Sequence, residues 1–136
     1  MRAFPLKIVT PDGVQFDGTA EELLVRTTGG DVGILAGHID YVAPLGMGEA
    51  MILTEGQKRY GACIGGMVSV VKGAVTLLPT TFEWSDKIDV DRVSNSEQRA
   101  QQVLSSKDAS DTDILLAQAR LKRALVRKSA ASRNTR

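Results

Sequence analysis

With 136 residues, 43% of them hydrophobic, the chain can bury one modest core and an accessory element but not two large domains. A balance of 17 Lys and Arg against 16 Asp and Glu, net +1, excludes a global electrostatic pull toward nucleic acid or anionic lipid. The one cysteine, Cys63, and the one histidine, His38, exclude a disulfide framework or a Cys/His zinc site within one chain.

The opening MRAFPLKIVTPDG has no apolar core of signal-peptide length, and no window approaches the ~18 apolar residues of a membrane span, so a soluble chain in a reducing compartment is expected. Up to about Trp84 the sequence reads as short β segments divided by turn residues. Leu6–Thr10 is followed by Pro11-Asp12-Gly13, Val14–Phe16 by Asp17-Gly18, and Leu23–Thr27 by Gly29-Gly30. Ala50–Thr54, Arg59–Ile64, Met67–Val71 and Val75–Leu78 continue the series, separated by Glu55-Gly56-Gln57, Gly65-Gly66 and Lys72-Gly73. Such spacing belongs to a sandwich or barrel.

All 13 glycines lie between Gly13 and Gly73, a sharp compositional boundary. Beyond it, Ile88–Ser105 predicts a helix on a thin stripe of Val93, Ala100, Val103 and Leu104. Ser110-Asp111-Thr112-Asp113 is a capping signal with acids in the first turn, and Arg120 to Lys128 supply cations toward the end. A second helix over Asp111–Lys128 follows, with Ile114, Ala117, Leu121, Ala124 and Leu125 as its stripe and SAASRNTR as a frayed tail. The expected fold class is α+β: an antiparallel sandwich or barrel first, then two short helices that can close as an antiparallel hairpin. At ~25 cal/mol per Å² the alanine-rich seam offsets little ordering entropy, so the hairpin is marginal alone.

No catalytic or nucleotide loop emerges. In GDVGILAGH the glycines at 30, 33 and 37 lack the Rossmann spacing, and Lys72-Gly73-Ala74 is not a Walker sequence. The plain reading of that stretch is a strand ending in a turn, with His38 as a hydrogen-bonding turn residue. With 4% aromatic residues and no nucleophile in a base-paired motif, an enzyme is not expected. Charge offers more. Arg92 and Arg99 are seven apart on one helix face, and Arg123 and Arg127 four apart on the other. Folding the hairpin gathers four guanidinium groups, which repel unless a polyphosphate lies between them; the alternative is a solvated basic face, and spacing does not decide.

GDVGILAGHIDYVAPL, the double glycine of ACIGGMVSVVKGAVTLL, and IDVDR before a helical tail together resemble the epsilon subunit of bacterial and chloroplast rotary ATP synthases. The resemblance runs from KIVTPDG to the last helix. It implies an antiparallel β-sandwich over residues 1–85 followed by an antiparallel two-helix hairpin over residues 86–136, in a non-catalytic subunit, peripheral at the cytoplasmic face of the cell membrane, attached to the gamma subunit and the c-ring. Asp31, Val32, Gly33 and His38 fall in the family's rotor-facing loop, with Val32 where many members carry an acid.

The resemblance further implies a regulatory ATP site. Ile88-Asp89-Val90-Asp91-Arg92-Val93 matches the form Ile/Leu-Asp-x-x-Arg-Ala except at Val93, and Glu83, Ile88, Asp89, Arg92, Arg99, Arg123 and Arg127 fall at nucleotide-contacting positions. The expected switch keeps the hairpin folded while ATP neutralises the arginines. When ATP falls, the hairpin extends toward the alpha and beta subunits and blocks hydrolysis. A coupling-only subunit and a stand-alone β-sandwich module are the alternatives. No metal of its own, nucleic-acid partner or membrane insertion is expected.

Overall fold

The computed structural model describes residues 2–133. Ten strands precede two helices: β1 (Phe4–Thr10), β2 (Gly13–Ala20), β3 (Glu22–Thr27), β4 (Gly30–Leu35), β5 (Tyr41–Pro44), β6 (Met47–Thr54), β7 (Gln57–Ile64), β8 (Met67–Val71), β9 (Ala74–Leu78), β10 (Thr81–Trp84), α1 (Val90–Ser105) and α2 (Asp111–Ser132). One sheet has the order β2-β1-β9-β8-β5, the other β10-β7-β6-β3-β4. All pairings are antiparallel except β1 with β9. The expected sandwich followed by a helical hairpin is the observed architecture.

Period-two burial drives the sandwich. In β1, Phe4, Leu6, Ile8 and Thr10 point inward while Pro5 and Lys7 face solvent. They meet Leu23, Val25, Ile34, Ile52, Val68, Val70 and Leu77 in the main core. Phe82 and Trp84 close one end, with the Trp84 indole donating to the Gln15 carbonyl at 3.2 Å and Arg59 stacked 3.8 Å from its ring centre.

Some expected boundaries move. Asp17-Gly18 is no turn: β2 runs through it, Gly18 opposite Leu6 and Asp17 opposite Lys7, because the ladder to β1 overrides local turn propensity. Helix α1 begins at Val90 rather than Ile88; Asp89 is its N-cap and accepts from the Arg92 backbone N–H at 3.1 Å. Ser110 and Asp113 complete the capping box of α2. That helix continues past Lys128 to Ser132, so the fraying expected of SAASRNTR does not hold for Ser129 to Ser132; Asn134 to Arg136 lie outside the described residues. Ala130 and Ala131 are buried, which is why the helix persists, whereas Leu125 of the expected stripe stands 48% exposed.

Cys63 sits in the sandwich core, where burial pushes its thiol up to about 12. Since the folded-state value lies above the unfolded one, the core's preference for the neutral thiol stabilises fully below about pH 9. That contribution is lost between about pH 9 and 12, at ~1.4 kcal/mol per pH unit. Urea midpoints measured from pH 9 to 10.5 are expected to fall less steeply in Cys63→Ala than in the parent. Equal slopes would contradict the assignment.

Candidate functional site

The place where the hairpin meets the sandwich is the seam of α2 against the outer face of β6 and β7. Alanines make the approach possible. Ala124, Ala130 and Ala131 of α2, Val93 of α1, Ile88 of the linker and Ala62 of β7 form a second buried cluster, separate from the sandwich core. Small side chains let the helix lie close, but they bury little area, so polar contacts at the rim matter.

Two carboxylates of the sheet supply them, and a third ties the hairpin to itself. Glu83 of β10 faces Arg127: Nη2 donates to Oε2 at 3.0 Å, and Nε lies 2.6 Å from Oε1 as a charge contact without hydrogen-bond alignment. Glu49 of β6 accepts from Ser129 Oγ at 2.7 Å and from Arg133 Nη2 at 3.0 Å. Arg133 also lies over the Tyr60 ring at 4.9 Å, and the Glu49 hydrogen bond raises its pKa further. Glu97 of α1 receives Lys128 Nζ at 3.3 Å across the hairpin. Half-buried pairs of this kind contribute roughly 1 kcal/mol each.

Of the residues expected to hold ATP, the fold brings Glu83 and Arg127 together and joins Asp89 to Arg92 through the backbone N–H alone. Ile88 is buried in the seam. Arg92, Arg99 and Arg123 are exposed, and no hydrogen bond or ion pair links their guanidinium groups to other described residues. The expected mutual repulsion of four arginines needs correction, because Glu83 already balances Arg127. Among the described residues, no group of His, Cys, Asp or Glu could hold a metal ion.

The loop expected to face a rotor lies at the other edge of the same sheet. Asp31 of β4 pairs with Arg26 of β3, its cross-strand partner, at 3.0 Å. Val32 is half-buried and Gly33 exposed. Beyond the turn at Gly37, His38 Nδ1 lies 2.7 Å from the Ile39 carbonyl oxygen and so carries the proton there. Around it Leu35, Ile39 and Val42 are 56%, 77% and 63% exposed, an apolar rim on the connection from β4 to β5.

Sequence reasoning missed Glu49, Tyr60, Ser129 and Arg133. Only the small-residue run Ser129-Ala130-Ala131-Ser132 offered a signal, as a helix able to approach a sheet closely.

Comparison with known proteins agrees with this arrangement. The ATP synthase delta/epsilon chain β-sandwich domain matches residues 3–85, and its long α-helix domain matches residues 86–132. The ATP synthase epsilon chain of Ruminococcus albus is 42% identical over 134 residues, covering 98% of this chain and 99% of that one. That of Bacillus pumilus is 40% identical, covering 98% and 100%. A chain in the mitochondrial ATP synthase OSCP/F1/c-ring assembly of Euglena gracilis has the same fold, with a TM-score of 0.83 at 21% identity, covering 94% of this chain and 81% of that one. A chain of the Tetrahymena thermophila central stalk and c-ring gives 0.59 at 16% identity, covering 93% and 95%. No helix among the described residues is long and apolar enough to cross a membrane. With both domain models matched in order and identity sustained over the whole length, the chain belongs to the ATP synthase epsilon-chain family.

Proposed function

We propose that this chain is the central-stalk subunit that couples c-ring rotation, through the gamma subunit, to the catalytic head, and that its hairpin is a movable brake on ATP hydrolysis. The chain itself does no catalysis. The sandwich, residues 1–85, carries the docking surfaces; Asp31, Val32, Gly33 and His38, beside the exposed Leu35, Ile39 and Val42, meet the ring. The complex thereby holds the chain peripherally at the cytoplasmic face of the cell membrane.

One observation carries the regulatory part: the hairpin is held to the sandwich by a small alanine-rich cluster and two ion pairs, separate from the sandwich core. A contact that small is reversible. When released, α2 presents Arg120, Lys122 and Arg123 to the alpha and beta subunits. ATP is the ligand of the closed form. On this reading Arg92, Arg99, Arg123 and Arg127 take its phosphates, Glu83 exchanges Arg127 for the adenine amino group, and Ile88 and Asp89 set the start of α1 beneath it. Ligand at ~100 times its dissociation constant adds about 2.7 kcal/mol to closure, enough to decide a marginal equilibrium.

A coupling-only subunit is the second reading. Arg127 already has Glu83, and Val93, fully buried, fills the position where the ATP-binding form has alanine. Calorimetric titration of the full chain with ATP separates the two. Saturable heat that Arg92→Ala weakens by about tenfold or more is expected, the loss of one charge-assisted phosphate contact. No heat above dilution would leave coupling alone.

A further inference from the structure

Helix α2 is seated through its alanine side on β6 and β7, and beside that seat a groove of about 470 Å³ opens between the helix and the outer face of β3 and β6. Its volume falls in the range of small-molecule sites, roughly 300–1,000 Å³. On the sheet side Leu24, Met47 and Met51 give it an apolar patch set among the paired side chains of Arg26, Asp31 and Glu49, and α2 contributes Leu125. A lone surface leucine needs no explanation, but Leu24 and Leu125, both partly exposed, line one hollow together with two adaptable methionines.

Charge narrows the choice of occupant. Asp31 is paired with Arg26, and Glu49 with Arg133, so both acids of the lining are balanced. Lys122, which lines this groove and the adjoining hollow of about 630 Å³ around Gly29 and Gly46, has no carboxylate partner among the described ion pairs. An apolar patch ringed by balanced charges, with one surplus cation, suits an apolar body bearing one negative charge. The geometry points to this groove as a binding site for a small amphiphilic monoanion.

The lining comes from both bodies, Leu24, Met47 and Met51 from the sandwich and Lys122 and Leu125 from the hairpin. An occupant therefore binds the seated hairpin in preference to the released one and stabilises closure. That consequence rests on the regulatory reading above; the binding itself does not.

The probe is 8-anilinonaphthalene-1-sulfonate, titrated into the full chain carrying 13C-methyl methionine. Saturable shifts are expected at the Met47 and Met51 methyls and none at Met67, which lies on β8 in the opposite sheet and serves as the internal control. Leu125→Glu, at an exposed position, is expected to weaken binding by about tenfold or more, and Lys122→Gln several-fold. The uncharged N-phenyl-1-naphthylamine should bind more weakly than the sulfonate. Equal binding of the two, or shifts centred on Met67, overturns the assignment. Nuclear Overhauser contacts from Ala130 and Ala131 to Ala62 separate the remaining cases. Absent shifts with those contacts present overturn the groove alone; absent shifts with the contacts missing overturn the seated hairpin as well.

Discussion

Ala130→Glu is expected to lift the hairpin off the sandwich while the sandwich stays folded. Ala130 is fully buried in the cluster with Ala62, Ile88, Val93 and Ala131. A glutamate there introduces both excess volume and a buried charge, together worth more than ~3 kcal/mol against the docked state. The seam has little to set against that: alanine burial and half-exposed ion pairs of roughly 1 kcal/mol each. The sandwich core shares no residue with the seam cluster, so its own stability is untouched. Trypsin offers the readout at Lys87, exposed in the linker between β10 and α1. Cleavage there should accelerate strongly in the variant, with the fluorescence of the single tryptophan, Trp84 in the sandwich, unchanged. In the assembled complex, hydrolysis at high ATP should fall, because a freed hairpin is the braking form. Unchanged cleavage and unchanged hydrolysis would show that the alanine seat does not hold the hairpin down.

That seat also marks the limit of what the sequence discloses. Alternation made the strands readable, and β1, with Phe4, Leu6 and Ile8 inward, shows it plainly. The capping box at Ser110 and Asp113 fixed the start of α2, because the chemistry is local. Its end was not legible: Ser129-Ala130-Ala131-Ser132 has no large apolar residue to mark a buried face, and the face exists only because β7 presents Ala62 opposite. The same cause misled the stripe at Leu125, which a helical wheel places inward and the fold leaves beside an open groove. Glu83 with Arg127 and Glu49 with Arg133 lie 44 and 84 residues apart in the chain, and no spacing rule reaches that far. Arg92, Arg99, Arg123 and Arg127 were visible as charge; that one of them is already balanced was not. In Asp17-Gly18 the local turn signal was genuine and lost to a ladder formed with β1.

Gly66→Ala is expected to destabilise the sandwich by about 3–5 kcal/mol, far more than the same change at Gly73. Both glycines have positive φ, +94° and +81°, so both substitutions place an L side chain in a left-handed conformation, costing about 1 kcal/mol. Their surroundings differ. A Cβ at Gly73 meets nothing within 4 Å, whereas at Gly66 it would stand 1.9 Å from the Leu78 carbonyl oxygen and 2.7 Å from Pro79 Cα, both backbone. Rotamer changes cannot relieve a clash with main chain. Gly65-Gly66 carries the chain from one sheet to the other between β7 and β8, and Pro79-Thr80 carries it back between β9 and β10. Leu45-Gly46 makes a third crossing, and the three are bonded together: Leu45 N–H to the Gly66 carbonyl at 2.8 Å, Gly65 N–H to Gly46 at 3.0 Å, Thr80 N–H to Gly65 at 3.3 Å. Moving Leu78 and Pro79 aside to admit a methyl group therefore strains every one of these crossings. Urea unfolding followed at Trp84 gives the comparison, and equal losses for the two alanine variants would mean that the crossings slide apart freely and that close backbone approach is not what clamps the two sheets at this end.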